Sequence, residues 1–415
     1  MATREPDLHL PLGVGSVDGC APVPLCRYGH RVVRLDLLSD SGILDSCGED
    51  LRPEVYRAPT LDSILAAGPR VWAALRSRLI EFVNDPGSNP KLERASVDLS
   101  DVTMALPFTV ADYVDFYSSM HHATNVGRIF RPGSDPLLPN WRHLPVGYHG
   151  RSASIAISGS EVRRPAGLRA IDGSPQFGPS MALDHELEVG FVVGVGNRGV
   201  PLTTADFAEH VFGVCLVNDW SARDIQSFEY QPLGPFLGKS FHTSISPWIT
   251  PLSALDEFRV SSPGSGVPVA GYLRSAEPWG LDLQVEVAIE SARMREIGLA
   301  PMTLSRASFA DMAWTPDQQL AHLTVNGATV RTGDFYASGT VSGPDAGEEG
   351  SLLEKTSGGT SPVKLPDGTE RTYLLDGDRV ILSGHAGPTI HLGEVSGTIV
   401  PPSNTYEQST EPGGR

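Results

Sequence analysis

The stretch Met181-Ala-Leu-Asp-His-Glu-Leu-Glu-Val-Gly-Phe-Val-Val-Gly-Val195 sets the strongest limit on what this chain can become. Its valines and phenylalanine favour a β-strand, yet it carries carboxylates at Asp184, Glu186 and Glu188. Alternate side chains of a strand share a face, so Glu186 and Glu188 would lie on one side with Cα atoms roughly 6.5–7 Å apart. Two bare carboxylates at that distance repel by roughly 2–3 kcal/mol at an effective dielectric of about 20. Two arrangements tolerate this. Either the strand is an edge with a solvated acidic face, or a hard divalent cation turns the repulsion into ligation.

The residues that follow shift the balance toward a polar pocket. Val217-Asn-Asp-Trp-Ser-Ala-Arg-Asp-Ile-Gln-Ser-Phe-Glu-Tyr230 and Pro232-Leu-Gly-Pro-Phe-Leu-Gly-Lys-Ser-Phe-His-Thr243 bring another acid (Asp219), Arg223, Gln226 and Lys239 among glycines and aromatics. If the first segment is helical, Asp219, Arg223 and Gln226 are neighbours on one surface. Gly 44 and Pro 34 in 415 residues favour many turns and short strands, and the length suggests two domains or one large one. A net charge of −17 argues against nucleic acid or an anionic membrane as partner. Cys20, Cys26, Cys47 and Cys215 show no paired spacing and read as free thiols in a reducing compartment. With no signal-like start and no apolar run of membrane-spanning length, the cytoplasm is the expected location.

Residues 1–106 read as a structural unit without a titratable cluster. Strands are expected over Leu8–Val17, broken by Pro11 and Gly13, and over Arg31–Leu37. Leu61, Ile64 and Leu65 have helical spacing up to Gly68-Pro69. Val71, Leu75, Leu79 and Phe82 continue as an amphipathic stripe, which ends in a loop over Asn84–Pro90. Further on, Ser152–Ile157 and Ser160–Arg164 read as a hairpin around Gly159. Leu281–Glu290 alternates as a half-buried strand with Leu281, Leu283, Val285, Val287 and Ile289 inward. Thr315-Pro316 opens a helix ending near Asn326-Gly327. Of the adjacent His121 and His122, at most one can face a given site. No nucleotide-binding, serine-hydrolase elbow or zinc-protease motif is present.

Several runs resemble the fumarylacetoacetate hydrolase family: Asp-Tyr-Val-Asp-Phe-Tyr-Ser-Ser (112–119), Leu-Pro-Asn-Trp (138–141), Leu-Pro-Val-Gly-Tyr-His-Gly-Arg (144–151), Asn-Asp-Trp-Ser-Ala-Arg-Asp-Ile-Gln (218–226), Pro-Leu-Gly-Pro-Phe-Leu-Gly-Lys-Ser-Phe (232–241) and Ala-Ser-Gly-Thr-Val-Ser-Gly (337–343). The resemblance covers nearly the whole chain. It implies a mainly β fold with some α: a small SH3-like N-terminal barrel over 1–106 and a large mixed β-roll catalytic domain over 107–415, assembled as a homodimer. The implied activity is metal-dependent hydrolysis of the carbon–carbon bond of 4-fumarylacetoacetate, a β-diketone dicarboxylate, to fumarate and acetoacetate. That is the last step of tyrosine and phenylalanine breakdown.

Carried over by motif, Asp115, Glu186, Glu188 and Asp219 would hold Mg²⁺ or Ca²⁺, with Lys239 and Thr243 at a nearby second cation site and Asp184 a bystander. His122 would be the general base, oriented by Glu354, and Arg223, Gln226 and Lys239 would surround the oxyanion. Tyr117, Arg131, Tyr148, Gln226, Tyr230 and Thr340 match substrate-contact positions. Two places depart from the family pattern: His242 stands where relatives carry a small residue, and Lys-Thr-Ser-Gly-Gly follows Glu354 in place of an apolar run. The alternatives are a related acylpyruvate or other β-diketone hydrolase of the same superfamily, and a metal-binding structural protein that has lost catalysis.

Overall fold

A computed structural model describes residues 9–48 and 51–403. Its spine is a mixed sheet of thirteen strands, built around the acid-bearing stretch. The strand Leu187–Val193 is buried along its whole length. It pairs antiparallel with Val211–Asp219 on one side and Asp334–Ala337 on the other, and Asp334–Ala337 pairs parallel with Asp112–Phe116. This is no edge strand, so a solvated acidic face is ruled out. Just before it the sheet is broken at His185 and Glu186, and Leu183–Asp184 forms a separate short pair with Ser221–Ala222.

A second sheet of five strands lies against the first, in the order Met302–Ser308, Gln284–Glu290, Arg379–Ala386, Ile390–Val400, Glu161–Arg163. The apolar faces of the two sheets meet in one core, where Val189, Phe191, Val193 and Leu216 share a cluster with Val285, Val287, Leu382 and Val395. All five residues expected to face inward from Leu281–Glu290 are buried there, although the regular strand starts only at Gln284. Such interdigitated apolar faces are the main source of stability in stacked sheets.

The N-terminal strands are continuous with the spine, because Leu12–Val17 pairs with Trp248–Pro251 as well as with Val23–Tyr28 and Val102–Ala105. Of the expected strand Leu8–Val17, Leu8 lies outside the described residues. Arg31–Leu37 is a strand only to Arg34, after which a helix takes over Leu35–Asp40. Leu35 and Leu38 are both buried, a spacing of three that suits a helix better than a strand. The helix Asp62–Ala66 stops before Gly68, whose φ of +85° is costly for other residues, and Pro69 starts the next helix, Pro69–Asn84, burying Leu75, Leu79 and Phe82. The expected loop over Asn84–Pro90 holds a 3₁₀ turn, Pro86–Ser88, and the start of a further helix, Asn89–Ala95.

The hairpin expected around Gly159 does not form. Ile155–Ile157 pairs parallel with Thr243–Ile245 in the large sheet, whereas Glu161–Arg163 pairs parallel with Ile390–Val400 in the second. Gly159 (φ +90°) therefore carries the chain from one sheet to the other. The helix Pro316–Thr324 forms as expected, opened by a Thr315/Gln318 capping box and followed by Gly327 at φ +89°.

Candidate active site

Four elements bring the polar residues together. Asp115 comes from the parallel strand Asp112–Phe116, Glu188 from the central strand and Glu186 from the break before it. The helix Met120–Phe130 starts at the Ser119 cap and contributes His122. The helix Arg223–Glu229 and the turns after it contribute Arg223, Gln226, Tyr230 and Lys239. They line a cavity of about 300 Å³ together with Tyr117, Arg131, Tyr148 and Thr340. Gly339 just before Thr340 has φ +78°, and a Cβ there would sit 2.2 Å from the Phe116 carbonyl oxygen, so only glycine permits this approach.

The carboxylates form the cavity's floor. Ligand oxygens of Asp115, Glu186 and Glu188 lie within 4.8 Å of one another, the one such group among the described residues. Asp115 Oδ1 and both oxygens of Glu188 are buried without a hydrogen-bond partner. Burial first, then the neighbouring carboxylates, pushes the Asp115 and Glu188 carboxyls well above the usual range. Burial would also raise Glu186, but Lys239 and Arg223 outweigh it and hold that carboxyl below its ordinary value. The unpaired buried oxygens of Asp115 and Glu188, with the ion-paired Glu186 beside them, suit a hard divalent cation. The donor set fits the metal that the sequence implies.

Asp219 is placed differently from the other three. It ends the strand Val211–Asp219 and is no helical neighbour of Arg223. Its Oδ2 accepts from Tyr148 at 2.8 Å and from Lys239 Nζ at 3.0 Å, and its Oδ1 accepts from Thr243 Oγ1 at 2.7 Å. Lys239 Nζ bridges Asp219 and Glu186, and although burial opposes its charge, these two acids hold the ammonium above its ordinary value. Thr243 thus reaches the cluster only through Asp219.

A histidine–glutamate pair reaches the same cavity through His122. His122 is buried, and its Nδ1 lies 2.7 Å from Glu354 Oε2; His121, the next residue, is only half-buried. Glu354 also accepts from Asn125, Ser342 and Ser351 at 2.8–3.0 Å. Burial would raise its carboxyl, yet His122 and these hydrogen bonds pull it below the usual value. The altered residues after Glu354 do not displace it, because the turn Leu352–Lys355 is fixed by its Ser351 cap. Tyr117 packs edge-on to His122 at 5.2 Å, and Tyr230 stacks on Phe130 at 6.3 Å. Arg131 donates from Nη2 to the Pro136 carbonyl at 2.7 Å, leaving a buried Nε unpartnered. Burial drives His242 down to about 4, so it is neutral at pH 7, and it does not line the cavity.

The sequence reading missed the supports of Glu354. Ser351-Leu-Leu-Glu354 is an S-x-x-E capping pattern that would have marked the turn, whereas Asn125 and Ser342 carry no such signal. Asp184 stands outside the metal-ligand group, as the resemblance implies, and the role it does have carries no sequence signal: it is fully buried and binds Arg223 Nε at 2.9 Å.

In this mainly β fold, three buried carboxylates that could hold a metal share one cavity with a buried, glutamate-bound histidine, the groups of a hydrolytic site. Residues 113–400 match the family described as fumarylacetoacetate (FAA) hydrolase C-terminal, and residues 8–107 match fumarylacetoacetase N-terminal. The chain belongs to the fumarylacetoacetate hydrolase family and is a hydrolase. It is 44% identical over 410 residues to the fumarylacetoacetase of Bos taurus and 44% over 408 residues to that of Homo sapiens, covering 95% of both chains each time. To the Arabidopsis thaliana fumarylacetoacetase it is 42% identical over 409 residues, 95% of this chain and 96% of that one. Among solved structures, a fumarylacetoacetate hydrolase from psychrophilic Exiguobacterium antarcticum shares the fold, with a TM-score of 0.55 at 17% identity over 94% of this chain and 99% of that one.

Proposed function

We propose that this protein hydrolyses 4-fumarylacetoacetate to fumarate and acetoacetate, the closing step of tyrosine and phenylalanine breakdown. The observation that carries the reading is that His122, held by Glu354, lines one cavity with Arg223, Gln226, Lys239 and the carboxylates Asp115, Glu186 and Glu188. Asp115, Glu186 and Glu188, with Asp219 behind them, would hold Mg²⁺ or Ca²⁺, which when bound chelates a β-diketone and withdraws charge from it.

Glu354 occupies His122 Nδ1, so Nε2 is the nitrogen left for the reaction. It takes a proton from water as the water oxygen attacks the fumaroyl-side carbonyl. Arg223 Nη2 is buried with no partner and, with Gln226 and Lys239, receives the oxyanion. When the oxyanion collapses, the carbon–carbon bond breaks and its electron pair leaves as the acetoacetate enolate. His122 returns its proton to that fragment. Arg131 clamps a terminal carboxylate, and Tyr117, Tyr148, Tyr230 and Thr340 shape the cavity around the chain of the substrate.

A spectrophotometric assay decides the matter. Loss of fumarylacetoacetate absorbance in the presence of Mg²⁺ or Ca²⁺ is expected; no loss, alongside turnover of an acylpyruvate, overturns it. The same reading places the N-terminal barrel over 1–106, the catalytic domain over 107–415, and the enzyme in the cytoplasm. The four free cysteines and the lack, among the described residues, of a helix long and apolar enough to cross a membrane accord with that location. It also makes the protein a homodimer, supported by Leu168, Phe177, Met181, Leu233 and Phe236, which are 45–95% exposed. Light scattering should give twice the chain mass.

A further inference from the structure

The catalytic groups reach the cavity from separate segments, and one buried side chain joins two of them. Asp184 is 0% exposed, and both of its oxygens are fully used. Oδ1 accepts the backbone N–H groups of His185 and Leu352, each at 2.8 Å. Oδ2 accepts Arg223 Nε at 2.9 Å and the N–H of Leu353 at 3.0 Å. Leu352 and Leu353 open the turn Leu352–Lys355, whose third residue is Glu354. Arg223 Nη1 lies 2.8 Å from Glu186 and Nη2 is left unpaired. One carboxylate therefore sets both where the guanidinium presents its free N–H and where the orienting glutamate meets His122.

We infer that Asp184 is a positioning residue, holding Arg223 and the Glu354 turn in a fixed mutual register so that His122 and the oxyanion donor act on the same carbonyl. The inference rests on the mechanism proposed above. An amide cannot replace this carboxylate: whichever way it is turned, its NH₂ group faces two donors, either two backbone N–H groups or one N–H and Arg223 Nε. The effect acts through two partners, so it should show as coupling and not as a separate loss.

The test compares Asp184→Asn with wild type, each as the full chain with Ca²⁺ present. Turnover of fumarylacetoacetate should fall roughly 10- to 100-fold in kcat, the effect of losing a hydrogen bond to a charged group, with KM within about threefold. Calorimetric Ca²⁺ affinity should stay near the wild-type value. On an Arg223→Lys or Glu354→Gln background the same substitution should cost much less. Unchanged kcat, or full additivity on both backgrounds, overturns the inference. If Asp184→Asn does not fold, Asp184→Glu keeps the buried charge and shifts the carboxylate by one methylene. The same kcat loss is then expected, and wild-type kcat refutes the inference. A substrate-independent readout separates this from the proposed function. In ¹⁵N-histidine spectra the hydrogen-bonded Nδ1 signal of His122 should shift or vanish in the variant. If wild type fails to turn over fumarylacetoacetate, the function falls, and an unmoved His122 signal would still be needed to sink the role of Asp184.

Discussion

Replacing Glu188 by glutamine should raise the stability of the metal-free protein and abolish its response to metal. Oxygens of Asp115, Glu186 and Glu188 lie within 4.8 Å of one another, and neither oxygen of Glu188 has a hydrogen-bond partner to lose. Burial first, then Asp115, Glu186 and Asp219, pushes the Glu188 carboxyl well above its usual range, so folding without metal favours its protonated form. Taking up that proton at pH 7, from an ordinary value near 4.5, costs up to about 3 kcal/mol, a cost that the neutral amide of glutamine does not carry. An unfolding entropy of about 2.1 cal/mol/K per residue over 415 residues gives about 0.9 kcal/mol/K. The variant's melting midpoint without metal should therefore rise by about 3–4 °C. Wild type, given Ca²⁺ or Mg²⁺ at about 100 times its dissociation constant, gains about 2.7 kcal/mol, or about 3 °C. The variant should gain nothing. Differential scanning calorimetry in chelator and in added cation measures all four midpoints. A Glu188→Gln midpoint below wild type in chelator, with an undiminished rise on adding cation, would refute the claim that unpaired carboxylates are held together for a metal.

Three further outcomes follow from other parts of the molecule. His122→Ala should reduce kcat by at least about 100-fold while calorimetric Ca²⁺ binding persists, since the side-chain hydrogen bond of His122 goes to Glu354 and His122 is not in the carboxylate group; full activity would remove it as the base. His9 is driven down to about 3, by burial first and then by Arg27, so the folded form stays neutral while the unfolded chain takes up a proton below about 6.5. The stability this gives is complete above about pH 6.5 and is lost as pH falls toward 3. Relative to His9→Gln, wild type should lose about 2 kcal/mol between pH 6.5 and 5 in urea unfolding, and parallel curves would contradict this. In Gly127→Ala the new Cβ would stand 2.1 Å from the Pro136 carbonyl oxygen that Arg131 binds. Overpacking of about 1–3 kcal/mol and a raised KM are expected, and an unchanged KM would separate Arg131 from substrate.

What could be read from the sequence was whatever a local pattern dictates. Alternation placed Leu281, Leu283, Val285, Val287 and Ile289 in the core, and a capping residue before proline fixed the helix at Pro316. The acids at 186 and 188 were legible for the same reason, because an apolar strand that buries charge must place it against something. Patterns of this kind say which way a side chain points but not which element it meets. The segments on either side of Gly159 looked like partners because they are adjacent and alternate, yet each pairs in parallel with a strand far along the chain. Asp184 shows the same limit of alternation. In an unbroken strand it would share a face with Glu186 and Glu188 and belong with the metal ligands or beside them. The strand is interrupted at His185 and Glu186, and that interruption frees Asp184 to meet Arg223 and the turn at Leu352, about 170 residues away by number, instead of the cluster two residues on. Period-two alternation cannot report its own interruption. The resemblance names Asp184 as the acid the cation site does not need, and only the fold shows what that acid binds instead.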